Sequence, residues 1–328
     1  MVSRCFQSAT KARFGALVLV LAACSPAMAF DLQAHRGGRG LAPENTLAAF
    51  DRALDLGVDT LELDVAVTSD NVVVISHDLR LNPAFTRDTG GEWLKTVGPS
   101  VRSQTFEALS KFDVGRLNPA SRYGASFPRQ VAADGERIPT LGALLQRVRA
   151  RNDSRVRLNI EIKSDPRQPE LSPPPEQAVS MLLQVLREAG MESRVTIQSF
   201  DWRALAAART QAGDIPLSCL TSPATVRDIA WTMGRDRANF DSVPAMVADA
   251  GCEIWSPEYS SLNAAEVDQA HRLHLAVVPW TVNKPADMRR LLAMGVDGFI
   301  TDEPDTALAP LAEHGIVLAP RVSRQEAE

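Results

Sequence analysis

The chain has 328 residues, 45% of them hydrophobic and 23% charged, which is the balance of a protein that buries a sizeable core and excludes disorder as the main state. The length suits one or two domains, including a single β/α barrel, since those commonly run to about 250 residues or more. Lys and Arg (35) fall short of Asp and Glu (40), so at a net charge of −5 there is no basic excess to neutralise a phosphate backbone, and nucleic acid is excluded as a partner.

Residues 1–29 carry Arg4, Lys11 and Arg13 with no acid, then an apolar run from Phe14 to Cys24. The run falls short of the roughly 18 to 20 residues of a membrane-spanning helix. Ala27 and Ala29 frame a small-residue cleavage site before Phe30, so the segment reads as a signal peptide and the protein as exported, periplasmic or secreted. An N-terminal core helix is the weaker alternative, because Pro26 and the small residues follow without amphipathic continuation. Leu21 to Cys24 is similar to a bacterial lipobox, which leaves a lipid anchor at Cys24 as a second form. No other segment is apolar enough to span a bilayer. From Phe30 onward the three basic residues are gone and the net charge is −8. Cys219 and Cys252 remain, either paired or as two separate core residues.

The chain then alternates β-rich runs with helical stretches, the pattern of an α/β protein with a parallel sheet. Strands are expected at 32–35, 60–67, 72–77, 157–162, 195–198, 217–220, 253–256, 276–282 and 298–301. Only Thr68 to Asn71 separates the second from the third, too little for a parallel crossover, so these two form an antiparallel hairpin. Eight strands are left for parallel pairing, the number of a closed TIM (β/α)8 barrel. Helices are expected at 46–56, 140–151, 175–189, 202–212, 264–273 and 286–294, with Gly57, Gly190, Gly213 and Gly295 at their C-termini. Residues 79–137, rich in Gly and Pro and lacking periodicity, read as an insertion over the barrel mouth. The barrel domain is thus 30–318, followed by a tail at 319–328.

Active sites of such barrels lie at the C-terminal strand ends. There the sequence places His35 and Arg36, Glu62 and Asp64, His77, and Glu161 and Lys163. Residues two apart on a strand share a face, so Glu62 with Asp64 and Glu161 with Lys163 point into one mouth. A hairpin centred between Ser69 and Asp70 sets His77 across from Glu62. Each motif alone has a bland reading as a solvated face. Leu61, Leu63, Ile160 and Ile162 take the outward side, however, and leave the charges facing inward, where buried charge without a role is rare. Three adjacent carboxylates require a cation, and oxygen-only ligation suits one divalent ion, Mg²⁺ or Ca²⁺. Two histidines beside it suit general acid and base, and Arg36 and Lys163 supply charge for an anionic substrate. The set points to phosphoryl chemistry.

The segments 34–38, 42–46, 62–65, 68–70, 74–78, 159–163, 198–200, 280–283 and 298–302 together resemble the glycerophosphodiester phosphodiesterase family, phospholipase C-like TIM barrels with an insertion after the second strand. The resemblance spans nearly all of 32–305. It implies metal-dependent hydrolysis of glycerophosphodiesters to sn-glycerol 3-phosphate and an alcohol, with His35 and His77 as the acid/base pair and Glu62, Asp64 and Glu161 as metal ligands. It also implies that Arg36 and Lys163 contact the phosphate. Glu44 is expected to support the phosphate site, with Asn45 beside it alternatively the N-cap of the first helix, and Trp280 to wall the alcohol portion. Asp302 is a further candidate, and Arg39 adds positive charge at the mouth. Gln198, where many relatives carry Ser, is expected to bear on substrate contacts. The competing readings are a lysophospholipase D or sphingomyelinase D-like enzyme, a two-carboxylate glycosidase, and an inactive glycerophosphodiester receptor.

Overall fold

The structure is a computed structural model and describes residues 30–318. Residues 1–29, expected from the sequence to be a signal peptide and including Cys24, and the tail 319–328 lie outside the described residues. Nine strands form one sheet: β1 (Asp31–Ala34), β2 (Thr60–Val67), β3 (Val73–Ile75), β4 (Arg157–Ile162), β5 (Val195–Ser199), β6 (Leu217–Thr221), β7 (Ile254–Pro257), β8 (Ala276–Val277) and β9 (Gly298–Thr301). The order is β8-β7-β6-β5-β4-β2-β1-β9, with parallel neighbours throughout and β3 antiparallel to β2.

Residues 277–282 and β9 close the ring. Asp297 N donates to Val277 O, Ile300 N to Pro279 O and Val282 N to Ile300 O, each at 2.9 Å. The eight parallel strands therefore make the TIM barrel expected from the sequence. β8 is regular over only two residues because Pro279 has no N–H to continue a ladder.

Helices lie where the apolar period and caps put them. Thr46, Thr140, Asp201 and Asn263 accept amides at helix starts, the last in a capping box with Glu266. Gly57 and Gly190 end their helices in the left-handed region. Gly213 does not, since the helix Trp202–Gln211 closes on Ala212, at φ −153° and ψ 70°. Two helices, Val243–Asp249 and Pro304–Glu313, were not expected, although a proline opens each in its first turn. Leu61, Leu63, Ile160 and Ile162 pack outward with Phe50 and Phe299 into one core between sheet and helices. That leaves the inward faces to polar side chains.

The β2–β3 hairpin differs from expectation by one residue. Val65 faces Ile75 and Val67 faces Val73, so the loop is three residues, Ser69 to Asn71, with Asn71 left-handed at φ 63°. Thr68 holds the turn by accepting Val72 N on Oγ1 at 2.9 Å, and Asp70 is tied to the insertion by accepting Phe106 N at 3.0 Å. A one-residue shift in register reverses faces. His77 therefore does not lie across from Glu62; it reaches the barrel mouth because the chain leaves β2 after Ser76, whose N makes the last bond to it, at Asp64 O.

Residues 79–137 hold short helical turns at Val101–Ser103, Phe106–Leu109 and Arg122–Ala125. They pack on the hairpin through a second apolar cluster of Ala66, Val74, Leu81, Val101, Leu109, Val114 and Ile138. The insertion forms one wall of the mouth.

Cys219 on β6 and Cys252 before β7 are joined in a disulfide, their Cα atoms 6.0 Å apart, which decides between the two readings of this pair. It closes a loop of 33 residues' separation. Chain entropy assigns such a cross-link about 3–4 kcal/mol. The double variant Cys219→Ala/Cys252→Ala is expected to unfold at correspondingly lower denaturant concentration than the oxidised protein, and an unchanged midpoint would contradict this.

Candidate active site

The inward face of β2 carries Glu62 and Asp64, and the parallel register sets Asp64 beside Glu161 of β4. One oxygen from each of the three carboxylates lies within 4.8 Å of the others, and all three residues are buried. Glu62 accepts Arg36 N at 2.9 Å on one oxygen and Gln198 Nε2 at 2.7 Å on the other. Asp64 Oδ2 accepts Asn45 Nδ2 at 3.0 Å, with Arg36 Nε at 3.4 Å. Lys163 Nζ lies 2.8 Å from Glu161 Oε1 and 3.7 Å from Asp64 Oδ1.

Burial and the neighbouring Asp64 charge push the Glu62 carboxyl well above its ordinary range, and burial raises Glu161 to about 7. Burial alone would raise Asp64 too, but His77, Arg36 and Lys163 outweigh it and keep this carboxyl low. The division follows from the cost of holding three like charges together. Asp64 Oδ1 is buried without a hydrogen-bond partner, against the rule for interior polar atoms. An orphaned oxygen among three hard oxygen donors, two of them unwilling to ionise unaided, fits a divalent cation that prefers oxygen ligands.

Both histidines stand beside this centre, each held by an aspartate at Nδ1. His35, in the turn after β1, lies 2.6 Å from Asp302 Oδ1, and its Nε2 is 4.0 Å from Glu62 Oε2. Asp302 also accepts Arg39 Nε and Asn283 Nδ2, both at 2.7 Å. Burial works against its ionisation, but His35 and Arg39 hold the carboxyl below the usual range. Burial, reinforced by the Arg39 charge, lowers His35 to about 4. His77 Nδ1 lies 2.7 Å from Asp78 Oδ1, whose other oxygen accepts Asn82 Nδ2 at 2.7 Å. Burial and the Lys163 charge lower His77 as well. With the proton on Nδ1 facing the aspartate, Nε2 is the free basic nitrogen of each ring.

Arg36 sits at φ 52°, a strained position for a residue with a side chain. It donates Nη1 to Glu44 Oε1 at 2.7 Å. Glu44 also accepts the Tyr123 hydroxyl from the insertion, so both its oxygens are spent behind Arg36. Asn45 is not the N-cap of the first helix: Thr46 accepts Ala49 N, and Asn45 instead fixes Asp64. Gln198 likewise binds Glu62 while accepting Asn159 Nδ2 at 2.9 Å, so its direct contact is with the carboxylate centre. Trp280 donates Nε1 to Ser256 O at 2.9 Å and packs edge-on against Phe200, with ring centroids 5.4 Å apart.

Trp280 and Phe200, with His35, Arg36, Glu62, His77 and Glu161, line a cavity of about 100 Å³. Of the nine site residues expected from the sequence, six (His35, Arg36, Glu62, His77, Glu161 and Trp280) line this cavity, Asp64 and Lys163 adjoin it beside Glu161, and Glu44 stands one layer behind Arg36. Sequence reasoning missed the roles of Asp78, Asn45, Asn283 and Tyr123. The first two adjoin residues it had singled out, and that adjacency was the available signal.

The model of the glycerophosphoryl diester phosphodiesterase family matches residues 35–306. A glycerophosphodiester phosphodiesterase from Caldanaerobacter subterraneus subsp. tengcongensis is 32% identical over 84% of this chain and 95% of its own length. A crystal structure from Silicibacter pomeroyi is 36% identical with a TM-score of 0.81, covering 90% of this chain and 97% of that one. An Oleispira antarctica phosphodiesterase, crystallised with the product sn-glycerol-3-phosphate, shares the fold at a TM-score of 0.64 and 22% identity, over 86% of this chain and 96% of that one. The polar-lined barrel defines a phosphodiesterase of the TIM class. The chain belongs to the glycerophosphoryl diester phosphodiesterase family.

A protonated carboxyl is no ligand, so cation binding has to expel the proton that Glu161 holds below about pH 7. Titration calorimetry of EDTA-treated protein with Mg²⁺ or Ca²⁺ is expected to show proton release and an affinity that falls as pH drops through about 7. Binding that is independent of pH would contradict the assignment of a raised Glu161.

Proposed function

We propose that the protein hydrolyses glycerophosphodiesters at the P–O bond, giving sn-glycerol 3-phosphate and an alcohol, with His35 and His77 as the acid/base pair. The observation that carries this reading is the pairing of both histidines with aspartates at Nδ1 while their rings line the cavity that holds the carboxylate centre. A proton acceptor and a proton donor are what a phosphodiester exchange needs, one at the attacking hydroxyl and one at the departing oxygen. Held in Glu62, Asp64 and Glu161, a divalent cation, Mg²⁺ or Ca²⁺, supplies positive charge against the phosphoryl oxygens.

The remaining work falls to the chain's own groups. Nε2 of one histidine takes the proton of the attacking hydroxyl, from water or the glycerol moiety. Nε2 of the other returns a proton to the leaving alcohol. Burial of both rings favours neutral imidazole, which suits the base, and the acid is charged when the phosphate dianion-like transition state stands against it. Arg36, held by Glu44, lines the cavity, and Lys163, held by Glu161, lines the groove beside it, so both bring fixed positive charge close to an anionic substrate. Trp280 and Phe200 exclude water on the side of the alcohol.

A second reading has its own observation. From His77, Glu161 and Phe200 an open groove of about 480 Å³ runs outward between Leu79, Pro83 and Val97 on the insertion and Leu171 and Trp231 opposite, with Arg80, Lys163 and Asp165 among its polar lining. Val97, at 63% exposed, stands on its rim, and Ile229 (54%) and Met233 (51%) flank Trp231 in sequence. An apolar channel of this kind suits an acyl chain, and it favours lysophospholipase D activity as a companion to the first. If residues 1–29 act as the signal peptide that their sequence suggests, either substrate is met outside the cytoplasm.

The purified protein is expected to release glycerol 3-phosphate from glycerophosphocholine, to stop with EDTA and to recover with one added ion. His35→Ala and His77→Ala should each lower kcat by roughly 10²- to 10⁴-fold. A folded, ion-supplied protein that turns over no glycerophosphodiester would overturn the first reading. Equal turnover of lysophosphatidylcholine by the parent and by Val97→Asp would remove the groove from the second.

A further inference from the structure

Two chains of hydrogen bonds and ion pairs run behind the active site, and a single oxygen atom of the insertion joins them. The Tyr123 hydroxyl donates to Glu44 Oε2 and accepts from Arg39 Nη1 at 3.1 Å. Through Glu44 the first chain reaches Arg36 and then Asp64 of the carboxylate centre. Through Arg39 the second reaches Asp302 and then His35 Nδ1. The insertion also holds the second chain at Arg39, through the Phe127 ring and Gln130.

The short helix Arg122–Ala125 that carries Tyr123 is set firmly. Ser121 caps it, and a Cβ on Gly124 would lie 2.2 Å from Asn118 O, so only glycine permits this approach. The Tyr123 ring packs on Phe85 and Phe127 at centroid distances of 5.9 and 5.2 Å, and the Arg39 guanidinium stands 5.0 Å above the Phe127 ring. Just beyond, Gln130 Nε2 donates to Arg39 O at 2.7 Å and Val131 N to Leu41 O at 3.0 Å. The segment therefore grips the turn that follows His35 from two sides.

We propose that Tyr123 is a positioning residue through which the insertion holds His35 and the carboxylate centre in one fixed arrangement. The insertion then contributes to catalysis as well as forming a wall: its hydroxyl sets the direction in which Asp302 presents the His35 ring, and keeps Arg36 drawn back toward Glu44. Without that restraint the Arg36 guanidinium is free to tighten its present 3.4 Å contact with Asp64 Oδ2 and so to compete with a bound cation. The catalytic half of this inference rests on the proposed phosphodiesterase reading, and the cation half does not.

Tyr123→Phe removes the oxygen and keeps the ring with its packing. Outer partners of a metal site typically change affinity or activity by about 10- to 100-fold. The variant is expected to lose kcat on glycerophosphocholine within that range while KM stays within about threefold, and to bind Mg²⁺ or Ca²⁺ about tenfold more weakly by calorimetry. Its thermal midpoint should stay within a few degrees of the parent. Glu44→Gln cuts the same chain, so the double variant should lose less than the sum of the two single losses. Parent-like kcat and ion affinity in Tyr123→Phe would overturn the proposal, as would a lowered thermal midpoint with catalysis intact. Should the parent turn over no phosphodiester, the calorimetric comparison still decides the bridge on its own.

Discussion

Three carboxylates whose oxygens lie within 4.8 Å of each other inside a barrel are the constraint on which the rest of the site depends. Like charges so close, and out of water, cannot all ionise unaided. The surroundings answer this unevenly. Asp64 receives Arg36, Lys163 and Asn45, while Glu62 receives a backbone amide, Gln198 and the more distant His35, and Glu161 receives Lys163. One carboxylate is thereby kept charged and two are left needing a cation. The buried, unpartnered Asp64 oxygen marks where the protein's own donors stop.

The outward-facing residues make this arrangement possible. Leu61, Leu63, Ile160 and Ile162 alternate with the charged residues of β2 and β4 and tie both strands into the main core. Burying each such side chain contributes about 1.5–3 kcal/mol. The strands can therefore hold electrostatic strain on one face because the other face is apolar. The strand-end turns carry the histidines, and each ring is oriented by an aspartate that is itself restrained, Asp302 by Arg39 and Asn283, Asp78 by Asn82.

The barrel and the centre were legible in the sequence because they rest on short periods. Alternation along β2 and β4 assigns faces, and the four residues between two β-rich runs force a hairpin. What was not legible depends on geometry that no period encodes. The three-residue turn with Asn71 in the left-handed region moved the register by one, so His77 arrives by leaving the ladder and not by pairing with Glu62. Asn45 read as a cap because its position before a helix is typical of one, yet Thr46 holds the cap and frees Asn45 for Asp64. The irregular insertion gave no sign that Tyr123 would meet Glu44 and Arg39, since that contact spans about eighty positions and follows from tertiary packing alone. The disulfide between Cys219 and Cys252 was one of two readings, and the proximity of neighbouring strands β6 and β7 decided it.

The measurement that bears most directly on the account is an anomalous-scattering experiment on crystals of the protein soaked with Mn²⁺, an ion of oxygen-rich sites that is visible where Mg²⁺ is not. The account predicts one strong peak within about 2.0–2.6 Å of oxygens from Glu62, Asp64 and Glu161 together. A fully soaked crystal with no peak there, or with the ion on the histidines instead, would contradict it.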